Sequence, residues 1–366
     1  MKSLLVVVLL VCIAQLSGCI ASINSTTEDC VFVEDVKESD TLYILSYDIL
    51  AFDDAMIDSF ENTYGYSVEI ILTDDAGGIL NQLMLTKGNP QADLAIGLDN
   101  TYMQTAIDFC LLKPHGLDIE NIQSHLLSSF DTMGVPFDYG YVCLNLDSSQ
   151  LNEQLSMPTS IENLTQSEWR GKVSIPSPLT SSPGRAFFFA TLMEFDYDIN
   201  ATFDWWLSMK NNELILTTGW TESYETHYSG GYGVWTEGHI GDAAVTVSYC
   251  HSPGVEAYFS ENSTMSTAIL YEKLHFKQIE YATLLNGQVN SDAASKFIQF
   301  LLTSEINQEM PTSNYMYSVL NNSELPPESG YSWHSPTPQT ERTFQQQAIE
   351  FTTDELLMKW SEMMLS

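Results

Sequence analysis

Leu42-Tyr43-Ile44-Leu45-Ser46-Tyr47, Val68-Glu69-Ile70-Ile71-Leu72 and Ala92-Asp93-Leu94-Ala95-Ile96-Gly97 are three β-rich runs, and the text between them decides the fold. Between the first two, Met56, Ile57 and Phe60 recur at helical spacing within Ala55 to Tyr64. Between the second and third, Gly77-Gly78 leads a helix carrying Ile79, Leu80, Leu83 and Met84. Apolar residues three and four apart mark one face of a helix, whereas short β-branched runs mark strands. Strands and helices alternating at this pitch predict βαβ units on a largely parallel sheet. Ligands of such sheets gather at the carboxyl ends of strands, which singles out Tyr47, Asp74, Asp75, Gly97 and Asp99.

Further along, Val173-Ser174-Ile175 reads as a strand, followed after Pro176 to Pro183 by a helix with Phe187, Phe188, Leu192 and Met193. Ser182 suits its N-cap and Pro183 its first helical position. Glu213 to Thr218 and Ala243 to Ser248 read as strands. Ser291 is placed to cap a helix carrying Ala294, Phe297, Ile298, Leu301 and Leu302, and Thr352-Thr353-Asp354-Glu355 has the spacing of a capping box that opens a last helix. Leu325 to Pro338, rich in Pro, Ser and Gly, reads as a surface connection. Gly134-Val135-Pro136-Phe137-Asp138-Tyr139-Gly140-Tyr141 suits a strand passing between two lobes, with Tyr139, Tyr141 and Cys143 on one face. A chain of 366 residues exceeds what one core usually holds, so two lobes are expected.

Lys2 followed by Leu4 to Val11 has the form of a secretory signal over residues 1–18. Leu16-Ser17-Gly18-Cys19 resembles the lipobox of secreted lipoproteins, which makes Cys19 the expected lipidation site; an ordinary cleaved signal with an incidental Cys is the alternative. The polar, aperiodic residues 19–40 then form a lipidated tether. The expected location is the extracytoplasmic face of a membrane, held by lipid. Cys30, Cys110, Cys143 and Cys250 lack metal-type spacing and allow two disulfides in any of three connectivities, or buried thiols. Sequons at Asn24, Asn163, Asn200, Asn262 and Asn321 agree with export. Against 13 Lys and Arg stand 48 Asp and Glu, a net −35 that repels phosphate backbones and excludes a nucleic-acid partner.

Seven short motifs follow one another in a telling order: Leu45-Ser46-Tyr47-Asp48, Ile96-Gly97-Leu98-Asp99-Asn100, Val135 to Tyr141, Thr180-Ser181-Ser182-Pro183-Gly184, Thr218-Gly219-Trp220-Thr221-Glu222-Ser223-Tyr224, Val247-Ser248-Tyr249-Cys250-His251-Ser252-Pro253, and Pro311 to Tyr317. In that order they resemble the thiamine-binding proteins of bacterial ABC importers, over about residues 41 to 320. The resemblance implies an α/β fold of the two-lobed periplasmic-binding-protein type (type II), each lobe a mainly parallel sheet flanked by helices. Residues 41–134 and 268–366 would form lobe 1, and residues 135–267 lobe 2. It further implies an aromatic box of Tyr47, Trp220, Tyr249 and Tyr315, with Asp75 as an acidic partner and Ser181 or Ser182 as a contact for the phosphate of phosphorylated thiamine. The chemistry agrees: a flat cation is recognised by aromatic faces and a carboxylate, and a helix N-terminus, here assisted by Arg185, favours phosphate.

The chain departs from the family pattern in three places. Tyr315 stands where the family has Trp, Val255 stands where a further aromatic is expected, and the segment 225–241 is longer, either as a lid or as a surface hairpin. The function read from these features is capture of thiamine, or its mono- or diphosphate, and delivery to a permease and its ATPase by a monomer without cofactor, metal or catalytic residues. The alternatives are a binding protein for another small cation such as a polyamine, and a thiaminase on the same fold using Cys143.

Overall fold

The computed structural model describes residues 30–33, 39–49, 51–228, 230, 241–260, 263–327 and 330–366. The expected signal, Cys19, most of the tether, Asn24, Asn262 and most of the segment 225–241 lie outside the described residues. The strands are β1 (Thr41–Ser46), β2 (Ser67–Leu72), β3 (Leu94–Asp99), β4 (Leu112–Lys113), β5 (Val135–Asp147), β6 (Val173–Pro176), β7 (Ile215–Thr217), β8 (Val245–Tyr249), β9 (Ser266–Ile269), β10 (Phe276–Leu285) and β11 (Tyr317–Ser318). The helices are α1 (Asp54–Tyr64), α2 (Ala76–Leu85), α3 (Met103–Asp108), α4 (Ser182–Glu194), α5 (Ile199–Asn211), α6 (Ser252–Phe259), α7 (Ser291–Leu301), α8 (Ser304–Asn307), α9 (Met310–Ser313) and α10 (Thr353–Leu365).

The sheet runs β2-β1-β3-β10-β5-β8-β6-β7, with β4 on β10 and with β9 and β11 on β5. Its two wings, β2-β1-β3 and β8-β6-β7, are parallel. The middle strands β10 and β5 run antiparallel to each other, and each runs antiparallel to the wing strand beside it, β10 to β3 and β5 to β8. This is the two-lobed α/β architecture of the type II binding proteins, one parallel wing per lobe. Each wing has its own apolar core, one around Leu42, Phe60, Ile96, Val135, Phe137 and Phe297, the other around Val142, Leu144, Phe188, Trp206, Val245 and Phe276.

The lobe boundaries fall inside strands rather than between them. β5 leaves the first core at Phe137 and enters the second at Val142, while β10 leaves the second at Phe276 and enters the first at Ile279. The expected breaks at 134/135 and 267/268 therefore move, since Ile269, Leu274 and Phe276 pack in the second core. The C-terminal helix also changes lobe. Its capping box forms as expected, but Trp360 lies edge-on to Trp206 of α5 at 5.4 Å and 89°, and Lys210 donates to the carbonyls of Met363 and Ser366, each at 3.0 Å. Apolar area decides this: Trp360 completes the burial of Trp206, whose other neighbours are Phe187 and Phe188 of α4.

Smaller shifts have local causes. Ser181 rather than Ser182 caps α4, because its hydroxyl accepts from the Gly184 N–H, which puts Ser182 in the first turn. Asn290 rather than Ser291 caps α7 by accepting from the Ala293 N–H at 3.2 Å. The stretch from Leu325 is not all surface, since Tyr331 is buried against Tyr141, Cys143, Cys250, Val255 and Tyr317. Of the three connectivities, the structure shows Cys30 with Cys110 and Cys143 with Cys250. The second bond removes the free thiol that a Cys143-dependent thiaminase would need.

Trp360→Ala is expected to lower stability to urea by about 3–5 kcal/mol, as for a fully buried Trp. Loss of packing in the second lobe would be read from Trp fluorescence during unfolding.

Candidate functional site

Three carboxylates lie side by side where the lobes meet. Glu280 on β10 is the register partner of Asp99 on β3 and of Asp138 on β5. Directly opposed residues of antiparallel strands project from the same face. All three are buried, at 0%, 0% and 3% exposure for Asp99, Asp138 and Glu280. Beside Glu280 the ladder slips: β10 passes from Tyr281 to Ala282 while β3 skips Gly97, and from Glu280 to Tyr281 while β5 skips Phe137. Such bulges bend strands and re-aim side chains. Gly97 has φ 104°, and a Cβ there would stand 2.4 Å from Cε1 of Tyr47. With no side chain at 97, the Tyr47 ring crosses β3 and its hydroxyl donates to Glu280.

Burial and then the charge of Asp138 push the Glu280 carboxyl well above the usual range. Burial raises Asp138 too, against a 2.9 Å bond from Asn314 Nδ2. It raises Asp99 although the Thr101 N–H and hydroxyl both donate to it at 2.6 Å. Asp99 Oδ2, Asp138 Oδ1 and Gln278 Oε1 make no hydrogen bond. A fully ionised row in this setting is unstable, so protons or a cation must neutralise part of it.

Of the aromatic residues singled out in the sequence, Tyr47 and Tyr249 reach this row. Gln278 Nε2 donates to the Tyr249 hydroxyl at 3.1 Å and to Glu280 Oε1 at 3.0 Å. Burial holds the phenols of Tyr47 and Tyr249 well above their ordinary value, with Glu280 adding to it, so both stay neutral. Tyr249 stacks on His251 at 5.3 Å and 25°. Burial pulls His251 down to about 4, and its Nε2 donates to the Tyr315 carbonyl at 2.6 Å, which steadies Tyr315 in the left-handed region at φ 57°. Trp220 donates from Nε1 to Ser248 Oγ at 2.8 Å, next to Tyr249. It also begins a stack, on Tyr224 at 4.9 Å and 14°, and from there on Tyr228 at 5.7 Å. Val255 packs in the core behind Cys250 and supplies no wall.

Asp75 joins the lobes. As N-cap of α2 it accepts from the Ala76 N–H at 2.7 Å, and the Ser182 N–H of α4, in the other lobe, donates to both its oxygens at 3.2 and 3.3 Å. Burial raises its carboxyl to about 6 against the pull of these bonds. Of the seven residues Tyr47, Asp75, Ser181, Ser182, Trp220, Tyr249 and Tyr315, the structure ties Tyr47 and Tyr249 to the row and Asp75 to the helix end of Ser181 and Ser182; Trp220 bonds Ser248 beside Tyr249, and Tyr315 turns its ring to Phe259 at 5.7 Å and 77°. Glu280 and Gln278 were missed, because Lys277-Gln278-Ile279-Glu280 alternates as a half-exposed strand would; the signal was a second conducting strand beside Val135 to Tyr141. Among the described residues no group of three or more His, Cys, Asp or Glu side chains is arranged to hold a metal. A groove of about 880 Å³ lined by Lys277, Ile279, Tyr281, Phe189 and Phe344 lies on the other face of β10 and contains none of the seven.

Residues 55–329 match the family described as bacterial extracellular solute-binding protein. A thiamine-binding periplasmic protein of Salmonella typhimurium is 27% identical over 282 residues, 76% of this chain and 80% of that protein. One of Escherichia coli is 26% identical over 263 residues, 72% and 75% respectively. A solved structure titled periplasmic thiamin binding protein superposes with a TM-score of 0.71 at 24% identity, covering 88% of this chain and 96% of that one.

Gly97→Ala is expected to cost more stability than Gly65→Ala, where φ is 78° but nothing lies within 4 Å of the new methyl. Both pay about 1–2 kcal/mol for left-handed backbone, and only position 97 adds the clash with Tyr47. Urea unfolding should show the excess, and a Tyr47→Ala background should remove it; an excess that survives there would place its cause elsewhere.

Proposed function

The chain belongs to the bacterial extracellular solute-binding protein family, and from that premise we propose that it captures thiamine outside the cytoplasm and delivers it to an ABC permease and its ATPase. The observation that carries this reading is the row Asp99–Glu280–Asp138, with an unbonded oxygen on each outer member, joined to the hydroxyl of Tyr47 and, through Gln278, to that of Tyr249. A ligand that suits it brings positive charge on a flat ring, which thiamine does. The relatives named for thiamine binding support the same choice. The protein supplies a closing cleft and no chemistry. Ligand contacts from both lobes favour the closed form, which docks on the permease as a monomer. The excess of carboxylates over thiamine's one fixed charge favours a polyamine as the second reading; against it, a polyamine brings no flat ring to the aromatic residues Tyr47, Tyr249 and Trp220.

Titration of intrinsic Trp fluorescence decides between them, with saturation by thiamine and none by spermidine expected. The affinity should depend on pH with a definite sign. Burial raises Asp75, Asp99, Asp138 and Glu280, so from about pH 4 upward the folded protein holds more protons than the unfolded chain and loses stability as pH rises. A bound cation stabilises the ionised row and displaces those protons. Thiamine should therefore bind more tightly at about pH 8 than at about pH 5.5, releasing protons in calorimetry, and Glu280→Gln should flatten the profile. An affinity that is constant or falls over this range would count against the row as the cation's seat.

The reading includes a lipid anchor on Cys19. Metabolic labelling with a palmitate analogue is expected to mark the wild-type protein and not Cys19→Ser, which should appear in the soluble extracytoplasmic fraction.

A further inference from the structure

The thiamine reading counts Trp220 among the rings that meet the ligand, and the structure shows what that ring rests on. Trp220 is half-buried. One of its faces lies on Tyr224 at 4.9 Å and 14°, which leaves the other for a ligand ring. Tyr224 lies in turn on Tyr228 at 5.7 Å and 29°, and both tyrosines are buried. The three rings stand four residues apart in sequence. The backbone that carries them forms a π turn, Glu222–His227, in which the Tyr228 N–H donates to the Ser223 carbonyl five residues back at 3.0 Å. Such turns are rare and recur at functional sites. This one is fixed on both sides: the Glu222 carboxylate accepts from the N–H and hydroxyl of Thr218, each at 2.9 Å, and the buried Ser223 hydroxyl bonds Ser174 Oγ at 2.6 Å and Thr246 Oγ1 at 3.0 Å.

Stacking alone is a weak and slippery restraint, since one ring can slide over another at little cost. Hydrogen bonds at the phenol ends remove that freedom. The Tyr224 hydroxyl donates to Glu256 Oε1, and the Tyr228 hydroxyl donates to Ser266 Oγ at 2.9 Å. Glu256 lies within α6 at 4% exposure, and its other oxygen accepts from the Thr264 hydroxyl. Burial raises its carboxyl to about 7 against the pull of Ser266, Thr264 and Tyr224. An acid is costly in such a place and calls for a reason. The same helix also holds the edge of the indole: Trp220 Nε1 donates to Ser248 Oγ at 2.8 Å, and Ser248 Oγ bonds Ser252 Oγ at 2.9 Å. Ser252 and Glu256 are one helical turn apart on α6, so both attachments of Trp220 run to one face of one helix.

We propose that Glu256 is a positioning residue for ligand binding: through the Tyr224 hydroxyl it fixes the platform under Trp220 and so sets the orientation of the ring offered to the ligand. The inference rests on the thiamine reading and deepens it. Glu256 acts through Tyr224 and not by contact with the ligand. Its contribution is pre-organisation, because a ring already held in place loses less freedom when the ligand arrives.

The test is a double-mutant cycle read by calorimetric titration with thiamine. Glu256→Leu removes the acceptor, and it is expected to weaken binding about five- to tenfold, within the range of coupling between side chains in contact. In a Trp220→Ala background the same substitution should weaken binding no further, because the ring it positions is gone. Glu256→Gln keeps an acceptor for the Tyr224 hydroxyl and should restore most of the affinity. Tyr224→Phe keeps the ring and loses only the hydroxyl; it should act as Glu256→Leu does, and it replaces that variant in the cycle if the latter does not fold. Near-UV circular dichroism reads the stack without ligand: the aromatic signal lost in Trp220→Ala should be reduced in Glu256→Leu and retained in Glu256→Gln. Unchanged affinity in the folded variant, or equal weakening with and without Trp220, overturns the positioning role and leaves the thiamine reading intact. A wild-type protein that binds no thiamine overturns that reading, and the dichroism then decides by itself whether Glu256 orders Trp220.

Discussion

Directly paired residues of antiparallel strands hold their Cβ atoms about 5 Å apart. At that separation two like charges repel by about 3 kcal/mol at an effective dielectric constant of ~20, and Glu280 is paired in this way with both Asp99 and Asp138. Strand pairing sets this spacing, and side-chain rotation offers little escape in a buried row. The surroundings answer the strain piecemeal. Asn314 and Thr101 donate to the outer members, while Gln278 and Tyr47 donate to the central one. Asp99 and Asp138 each retain an oxygen that no donor reaches. Much of the site can be understood as the remainder of that balance: groups that supply hydrogen bonds but no positive charge.

The same two strands conduct the chain between lobes. β5 and β10 each begin in one core and end in the other, so the carboxylate row sits on the pivot. The bulge beside Glu280 and the absent side chain at Gly97 serve this place together: one turns the strand, the other lets Tyr47 close over the row. Away from the pivot the lobes touch through Asp75 and the first turn of α4, and through Arg185 with Thr101 and Tyr102. Rings near the row are steadied by their neighbours: His251 stacks on Tyr249 and bonds the backbone carbonyl of Tyr315, and Tyr224 stacks on Trp220.

Tyr47 and Asp75 were legible because they close β-rich runs, where ligands of α/β sheets gather. Trp220, Tyr249 and Tyr315 were legible only through ordered motifs, since a lone aromatic in a chain this rich in them more often serves a core. Glu280 escaped because an acid alternating with apolar residues looks like a solvated strand face; burial on that face depends on β5 and Tyr249, which come from elsewhere in the chain. Disulfide pairing escaped for the same reason, as spacing in sequence says nothing of which thiols meet.

What the sequence determined by itself is local: the periodicities that make β1, α1, β2, α2 and β3, the capping box of α10, and the acidity that excludes polyanions. These follow from neighbours within a few residues, where side-chain spacing and backbone preference suffice. What the tertiary structure decided is every relation between distant segments. It put the lobe boundary inside β5 and β10, carried α10 to the second lobe where Trp206 needed cover, and brought Asp75 to the N-terminus of α4. Each of these depends on which surfaces are left uncovered, or which charges left unmet, once the rest of the chain is in place, and no window of sequence contains that information.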